Sequence, residues 1–137
     1  MTGRCLCGGI RYKGEAEPLH MRACHCKECQ RFTGTAFLTV VIVPKEAIRI
    51  TGDLKTHTQL GGSGAIVHRQ FCPECGSPVV VELQGSPRTA IMAGTLDDTS
   101  FVKPATNMFC EEAQSWVPLS PDMKNFPRSD GWVPPQT

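Results

Sequence analysis

The stretch Cys72-Pro73-Glu74-Cys75-Gly76 places two thiols three positions apart on either side of a bend. Pro73 turns the chain between the two cysteines, and Gly76 permits a sharp return after them, which is typical of a zinc knuckle. A closed zinc site needs four nitrogen or sulfur ligands, and Cys5-Leu6-Cys7 supplies the second pair. The spacing therefore predicts a structural zinc site formed by Cys5, Cys7, Cys72 and Cys75.

A second group of thiols lies in Cys24-His25-Cys26-Lys27-Glu28-Cys29. Three thiols without an evident fourth ligand match a catalytic zinc site, which keeps one position open. We therefore predict an open catalytic site at Cys24, Cys26 and Cys29, and two zinc ions per chain with the second more labile. Closure of this site by Cys110 or by His25, which would make it structural, is an equal alternative at this point.

Charge and cysteine usage limit the class of protein. The 137 residues include 14 basic and 13 acidic ones, and the formal charge of +1 argues against a nucleic-acid partner. The N-terminus has no apolar signal region, and about 18 consecutive apolar residues occur nowhere, so we expect neither export nor a membrane partner. In a reducing cytoplasm, the predicted location, clustered thiols are more often metal ligands than disulfides.

The charge of the second site indicates its chemistry. Three thiolates on Zn²⁺ leave a net charge of −1, which suits binding of a small thiol as its thiolate better than polarising a carbonyl. Arg22, Lys27 and Arg31 lie near this group and could receive substrate carboxylates. Each cation taken singly is equally well interpreted as a solvated surface charge.

Short β-branched segments broken by Gly, Pro and Asp predict a single, mainly β domain with mostly antiparallel strands. The run from Thr35 to Val43 is the longest apolar one and is expected to form a buried central strand. One short helix is expected from Cys26 to Phe32, ended by Gly34, with a further turn around Leu96. The other predicted strands are 10–12, 48–50, 55–60, 65–71, 79–83 and 89–92.

Several remaining residues have a structural interpretation. Four prolines between Pro121 and Pro135 predict that residues 118–137 form an irregular tail packed on the domain of residues 1–117. Trp116 and Phe109 are expected to fill the core rather than line a pocket. His57 and His68 are expected to be strand residues rather than metal ligands.

The chain resembles the glutathione-dependent formaldehyde-activating (GFA) family, which includes centromere protein V-like members. The resemblance covers about residues 3 to 116. It rests on four stretches in conserved order: Gly3-Arg-Cys-Leu-Cys-Gly-Gly-Ile-Arg-Tyr12, Cys24-His-Cys-Lys-Glu-Cys-Gln-Arg-Phe-Thr-Gly34, Arg69-Gln-Phe-Cys-Pro-Glu-Cys-Gly-Ser77 and Ala93-Gly-Thr-Leu-Asp97. It implies a β-tent fold of small antiparallel sheets organised around zinc, with the same division of the cysteines into a set of four and a set of three.

The family resemblance also implies a carbon–sulfur lyase-type reaction that joins glutathione and formaldehyde into S-(hydroxymethyl)glutathione. The expected partners are thus a small thiol such as glutathione and an aldehyde, while a homodimer is left open. The sequence departs from the family at Asn107, Met108 and Phe109, where many members have a histidine followed by an apolar and an aromatic residue. The alternatives are a zinc-stabilised interaction module without catalysis and, ranked last, a thiol redox or metal-sensing role for the second cysteine group.

Overall fold

The computed structural model describes residues 1–129. Over this range the chain forms eleven strands, one α-helix and three short 3-10 helices. The strands are β1 (Thr2–Arg4), β2 (Arg11–Gly14), β3 (His20–Cys24), β4 (Leu38–Pro44), β5 (Ile48–Thr51), β6 (Lys55–Leu60), β7 (Ile66–Phe71), β8 (Pro78–Leu83), β9 (Arg88–Met92), β10 (Thr106–Met108) and β11 (Lys124–Asn125). The α-helix α1 is Lys27–Thr33, and the 3-10 helices are Lys45–Ala47, Ala93–Thr95 and Cys110–Glu112.

The strands form two sheets. The small sheet has the order β1-β2-β5, and the large one has the order β11-β10-β3-β4-β9-β8-β7-β6. This arrangement confirms the predicted mainly β class and fits a β-tent. The pairing is mostly antiparallel, as predicted, and the exception is near one edge, where β10 runs parallel to both β3 and β11. Long connections bring these strands to the same edge, so no hairpin turn dictates their direction.

Strand β4 lies in the middle of the large sheet because it is apolar on both faces. Val41 and Val43 point towards the small sheet and pack with Ile10 and Tyr12. Leu38, Val40 and Ile42 point to the opposite face and form a second apolar cluster with Cys29. A strand covered on both faces reads as a continuous apolar run, and this confirms the predicted central strand, which begins at Leu38 rather than Thr35.

Helix α1 is fixed by local signals at both ends. Cys26 has extended backbone geometry, and its sulfur accepts a hydrogen bond from the Cys29 N–H, so it serves as the N-cap. Gly34 ends the helix in the left-handed conformation with φ of 67°. The predicted helix is therefore confirmed to within one residue at each end.

The sequence analysis did not predict the hydrogen bonds that the segment after Thr106 makes with the tail. The backbone N–H groups of Phe109, Cys110 and Glu111 donate to carbonyls of residues 126–128, so this part of the tail contacts the body. Trp116 is 71% exposed, which makes the expectation of core filling wrong for this residue. Residues 130–137 of the predicted tail lie outside the described residues, and the division at residue 117 stays a prediction. No helix among the described residues is long and apolar enough to cross a membrane.

Candidate functional site

The cysteines from the N-terminus and from the β7–β8 turn meet where the two sheets join. The Sγ atoms of the four residues all lie within 4.8 Å of one another, and the set could hold a metal ion. The Cys5 and Cys7 Sγ atoms are 3.6 Å apart. Cys5 Sγ accepts from the Ile10 N–H at 3.2 Å, and Cys7 Sγ accepts from the Gly9 N–H at 3.4 Å. Such N–H···S bonds favour thiolates, the form that binds metal. The set consists of Cys5, Cys7, Cys72 and Cys75.

The turn that holds Cys72 and Cys75 has the geometry that its sequence predicts. Gly76 adopts φ of 77°, and its N–H donates to the Cys72 carbonyl at 2.8 Å. The Ser77 hydroxyl lies 3.2 Å from Cys75 Sγ, and this hydrogen bond is the main cause that lowers the pKa of Cys75 to about 5. The turn therefore presents one thiol already biased towards the thiolate.

The second cluster consists of Cys24 at the end of β3, Cys26 at the helix N-cap and Cys29 in the first turn of α1. Their Sγ atoms also lie within 4.8 Å of one another and could hold a metal ion. Within residues 1–129, neither His25 nor Cys110 joins this cluster. Cys110 Sγ instead contacts the Asn107 carbonyl oxygen at 3.5 Å. The described residues thus bring three thiols together here, one fewer than in the first cluster.

The electrostatics of this cluster favour a cation. Hydrogen bonds from the Cys24 and Cys29 thiols lower the pKa of Cys26 to about 3. The same interaction with Cys26 raises the pKa of Cys24 to about 12, and the two neighbouring sulfurs also raise the pKa of Cys29. Only one thiol of the three ionises readily unless a positive ion shares the site. A soft, all-thiolate donor set of this kind fits zinc.

His25, the residue between two of these cysteines, is held by β10 and β11. It is 1% exposed, and its Nε2 lies 2.8 Å from Asn107 Oδ1. The Asn107 amide nitrogen donates to Asn125 Oδ1 at 2.9 Å. The ring also lies against Phe37, with centroids 4.9 Å apart. His25 therefore anchors the loop behind the three cysteines.

A cavity of about 460 Å³ opens beside the three-cysteine cluster. All three cysteines line it. Its floor is one face of the large sheet, formed by Leu38, Val40, Val67, Val81 and Leu83. Another depression of about 430 Å³ lies on the small sheet around Arg11 and Lys13, with no cysteine in its wall. The cavity beside the three cysteines is therefore the candidate site.

Arg69 on β7 is a wall residue of this cavity that the sequence analysis missed. It is 5% exposed, its Nη2 donates to Glu28 Oε2 at 3.0 Å, and its Nε has no hydrogen-bond partner within residues 1–129. The signal for it was an arginine at an inward position of an alternating strand, two residues after Val67. Of the cations proposed from sequence, Arg22 also lines the cavity, whereas Lys27 and Arg31 are not among its wall residues.

Phe109 covers part of the same cavity. Its φ of 55° is the one positive value among the described residues other than glycine. A Cβ atom added at Gly62 would lie 3.9 Å from the Phe109 ring. The loop 61–63 and this ring therefore face each other across the cavity mouth. The expectation of core filling is therefore wrong for Phe109 also. Backbone strain of this kind collects at functional sites.

Comparisons with known proteins agree with this arrangement. A solved crystal structure of a Rhodobacter sphaeroides protein has the same fold, with a TM-score of 0.56 and 21% identity, covering 71% of this chain and 88% of the other. Two curated relatives carry the name "Putative glutathione-dependent formaldehyde-activating enzyme". The protein from Aspergillus terreus is 37% identical over 59 residues, which are 42% of this chain and 29% of that protein. The one from Penicillium rubens is 28% identical over 75 residues, which are 53% and 39% of the two chains.

The matched stretches thus span well under half the length of these curated relatives. A family model for the glutathione-dependent formaldehyde-activating enzyme, by contrast, matches residues 1–112, which is most of the chain. That range contains both cysteine clusters and Arg69. The chain therefore belongs to the glutathione-dependent formaldehyde-activating enzyme (GFA) family.

Proposed function

We propose that this chain is a zinc-dependent carbon–sulfur lyase-type enzyme of the S-(hydroxymethyl)glutathione synthase type. It joins a small thiol such as glutathione to an aldehyde such as formaldehyde, and it splits the same adduct in reverse. The observation that carries the proposal is the three-cysteine cluster, which opens to a cavity lined by Arg22 and Arg69. The cytoplasm is the proposed location because the seven cysteines of the two clusters are needed as free thiols.

The two clusters have different tasks in this proposal. Cys5, Cys7, Cys72 and Cys75 hold a structural zinc ion that ties the N-terminal strand to the β7–β8 turn. Cys24, Cys26 and Cys29 hold the second, catalytic zinc. When bound there, the ion keeps an exogenous thiol in its nucleophilic thiolate form at neutral pH.

The chain's own residues position the reactants. Glu28 holds the guanidinium of Arg69 through Nη2, which leaves other N–H groups for a substrate carboxylate. The carboxylates of the thiol substrate then lie at the arginine wall, with its sulfur at the cysteines. The sulfur attacks the aldehyde carbon and forms the new C–S bond. The carbonyl π pair moves to oxygen, which takes a proton from solvent, while the thiol proton has been released to solvent.

The alternative of a closed, purely structural second site has less support. Cys110 was the best candidate for a fourth ligand, and its sulfur contacts the Asn107 carbonyl oxygen instead. A cavity with an apolar floor and a charged wall beside the three-cysteine cluster is also the usual form of a small-molecule site.

The test is exchange between free formaldehyde and its glutathione adduct, followed by NMR with ¹³C-labelled formaldehyde. The zinc-loaded wild type and a Cys110→Ser variant should accelerate exchange, because Cys110 lies outside both clusters. A Cys26→Ser variant should lose the acceleration while it stays folded. No acceleration by the zinc-loaded wild type over the uncatalysed rate would contradict the formaldehyde–glutathione reaction.

A further inference from the structure

The cavity beside the three cysteines is larger and more apolar than formaldehyde requires. Its volume is about 460 Å³, and its floor consists of Leu38, Val40, Val67, Val81 and Leu83. The hydroxymethyl group that formaldehyde forms has a single carbon atom and covers almost none of this floor. Apolar surface left in water costs about 25 cal/mol per Å², so an aliphatic group that covers the floor would bind favourably.

The floor is continuous with the cysteine cluster. Cys24 on β3 lies directly opposite Leu38 on β4, and Arg22 lies opposite Val40. Residues directly opposite each other in an antiparallel pair share one face of the sheet, with Cβ atoms about 5 Å apart. A sulfur held at the cysteines therefore places the carbon attached to it at the Leu38 end of the floor.

The far end of the floor lies towards the other edge of the sheet. Val81 on β8 pairs with Arg69 on β7, and Leu83 pairs with Val67. Between β4 and β8 lies β9, which contributes the small Ala90 opposite Val81. Strands are about 4.8 Å apart, so the two steps from β4 to β8 span about 10 Å across the sheet. This distance accommodates several carbons beyond the one that carries the sulfur.

Two arginines come from the same face of the sheet as the floor, because Arg22 lies opposite Val40 and Arg69 lies opposite Val81. The Arg69 guanidinium is paired with Glu28, so its charged end is held at α1. These arginines suit the carboxylates of the thiol substrate, whereas the apolar side chains beside them suit the other reactant.

We propose that the preferred aldehyde carries an aliphatic substituent of several carbons, which lies on the floor formed by Leu38, Val40, Val67, Val81 and Leu83. The inference rests on the proposed function, since it concerns the aldehyde half of the same adduct. The reaction is the one written above, with an alkyl group in place of one hydrogen of formaldehyde. The C–S bond forms, the carbonyl oxygen takes a proton from solvent, and the thiol loses one.

The test measures binding and does not depend on turnover. S-methyl-, S-propyl- and S-hexylglutathione are titrated into the zinc-loaded full chain by calorimetry, with chain length as the only variable. Affinity should rise roughly threefold to fourfold per added methylene until the floor is covered. The methyl resonances of Leu38, Val40 and Val81 should shift in the same titration.

Two variants distinguish the effect of blocking the floor from the effect of adding a bulky side chain elsewhere on the protein. Val81→Phe adds volume at a partly buried floor position, and it should abolish the gain from propyl to hexyl. Ile66→Phe adds comparable bulk on β7 at a position that is 38% exposed and not in the cavity wall. This control should keep the wild-type dependence on chain length, and both variants should keep the wild-type zinc content.

The outcomes distinguish this inference from the proposed function. Affinity that is flat or undetectable across the series, or a Val81→Phe variant that behaves like Ile66→Phe, overturns the inference. If glutathione–formaldehyde exchange is accelerated in that case, the proposed function still stands. Affinity that rises with chain length supports the inference even if formaldehyde itself gives no accelerated exchange.

Discussion

His25 Nε2 lies 2.8 Å from Asn107 Oδ1, and both side chains are at most 5% exposed. Because the Asn107 amide nitrogen donates to Asn125, its oxygen must accept, and the proton of the His25 ring lies on Nε2. The contact joins the loop of the three cysteines to strand β10, which runs parallel to both of its neighbours. Asn107 therefore supports the candidate site from behind.

Replacing Asn107 with alanine should lower the free energy of unfolding by about 1–3 kcal/mol, because a buried ring N–H loses its acceptor. Urea denaturation followed by circular dichroism measures the change. Asn125→Ala is the matched control, since Asn125 is exposed and water can replace its oxygen, so its effect should stay below about 0.5 kcal/mol. Equal effects of the two substitutions would contradict the account.

Replacing Cys72 with serine should abolish the stable fold and not merely reduce activity. Structural zinc commonly contributes on the order of 10 kcal/mol to small folds, and Cys72 lies in the core between the two sheets. The melting temperature and the zinc content measure the loss. Cys110→Ser changes the same chemistry outside both clusters and should leave both quantities near their wild-type values. A Cys72→Ser protein with wild-type zinc content and melting temperature would refute the structural site.

Replacing Gly3 with alanine should destabilise the small sheet by about 1–3 kcal/mol. A Cβ at Gly3 would overlap the hydroxyl of Tyr12, which is 4% exposed and lies 2.7 Å from Thr95 Oγ1. Gly94→Ala is the control, because a Cβ there meets no atom within 4 Å. Thermal denaturation of both variants makes the comparison. A Gly3→Ala melting temperature equal to that of Gly94→Ala would show that the close packing of β1 on Tyr12 is dispensable.

Replacing Arg69 with methionine should weaken binding of the thiol substrate, because the cavity wall loses its charge-assisted donors. One such hydrogen bond is worth about 1.5–3 kcal/mol, so KM for glutathione should rise roughly tenfold or more, with a smaller change in kcat. Exchange rates measured at several glutathione concentrations give both constants. Arg31→Met on the exposed side of α1, away from the cavity wall, should leave KM unchanged. Equal KM values for the two variants would exclude Arg69 from substrate binding.

Local signals explain which parts of the fold could be predicted from the sequence. Helix α1 has its cap residues, Cys26 and Gly34, within the segment itself, and β4 is marked by its own apolar run. Strand β10 carries no such mark, because Thr106 and Asn107 are polar and are buried only by partners distant in sequence. His20 Nε2 meets Thr106 Oγ1 at 2.9 Å across 86 positions. Pairing of this kind cannot be inferred from a short window.

The candidate site divides in the same way. The two cysteine clusters were predicted because short ligand spacings such as Cys-x-x-Cys are written in the local sequence, and the structure brings each set together. The cavity was not predicted, because its floor comes from β4, β7 and β8, whose neighbours are decided by the whole sheet. Arg69 pairs with Glu28, which lies 41 positions away in the sequence. Its place in the site depends on this ion pair between β7 and α1, which the sequence does not indicate.

The most direct test of two zinc sites of different kind is the zinc count per folded chain by native mass spectrometry, before and after brief exposure to a mild chelator. We expect two ions in the untreated protein. One of them should leave readily from Cys24, Cys26 and Cys29, because three thiolates hold it less completely than four, and the chain should stay folded. A single ion in the untreated protein, or two ions that resist the chelator equally, would contradict an open catalytic site.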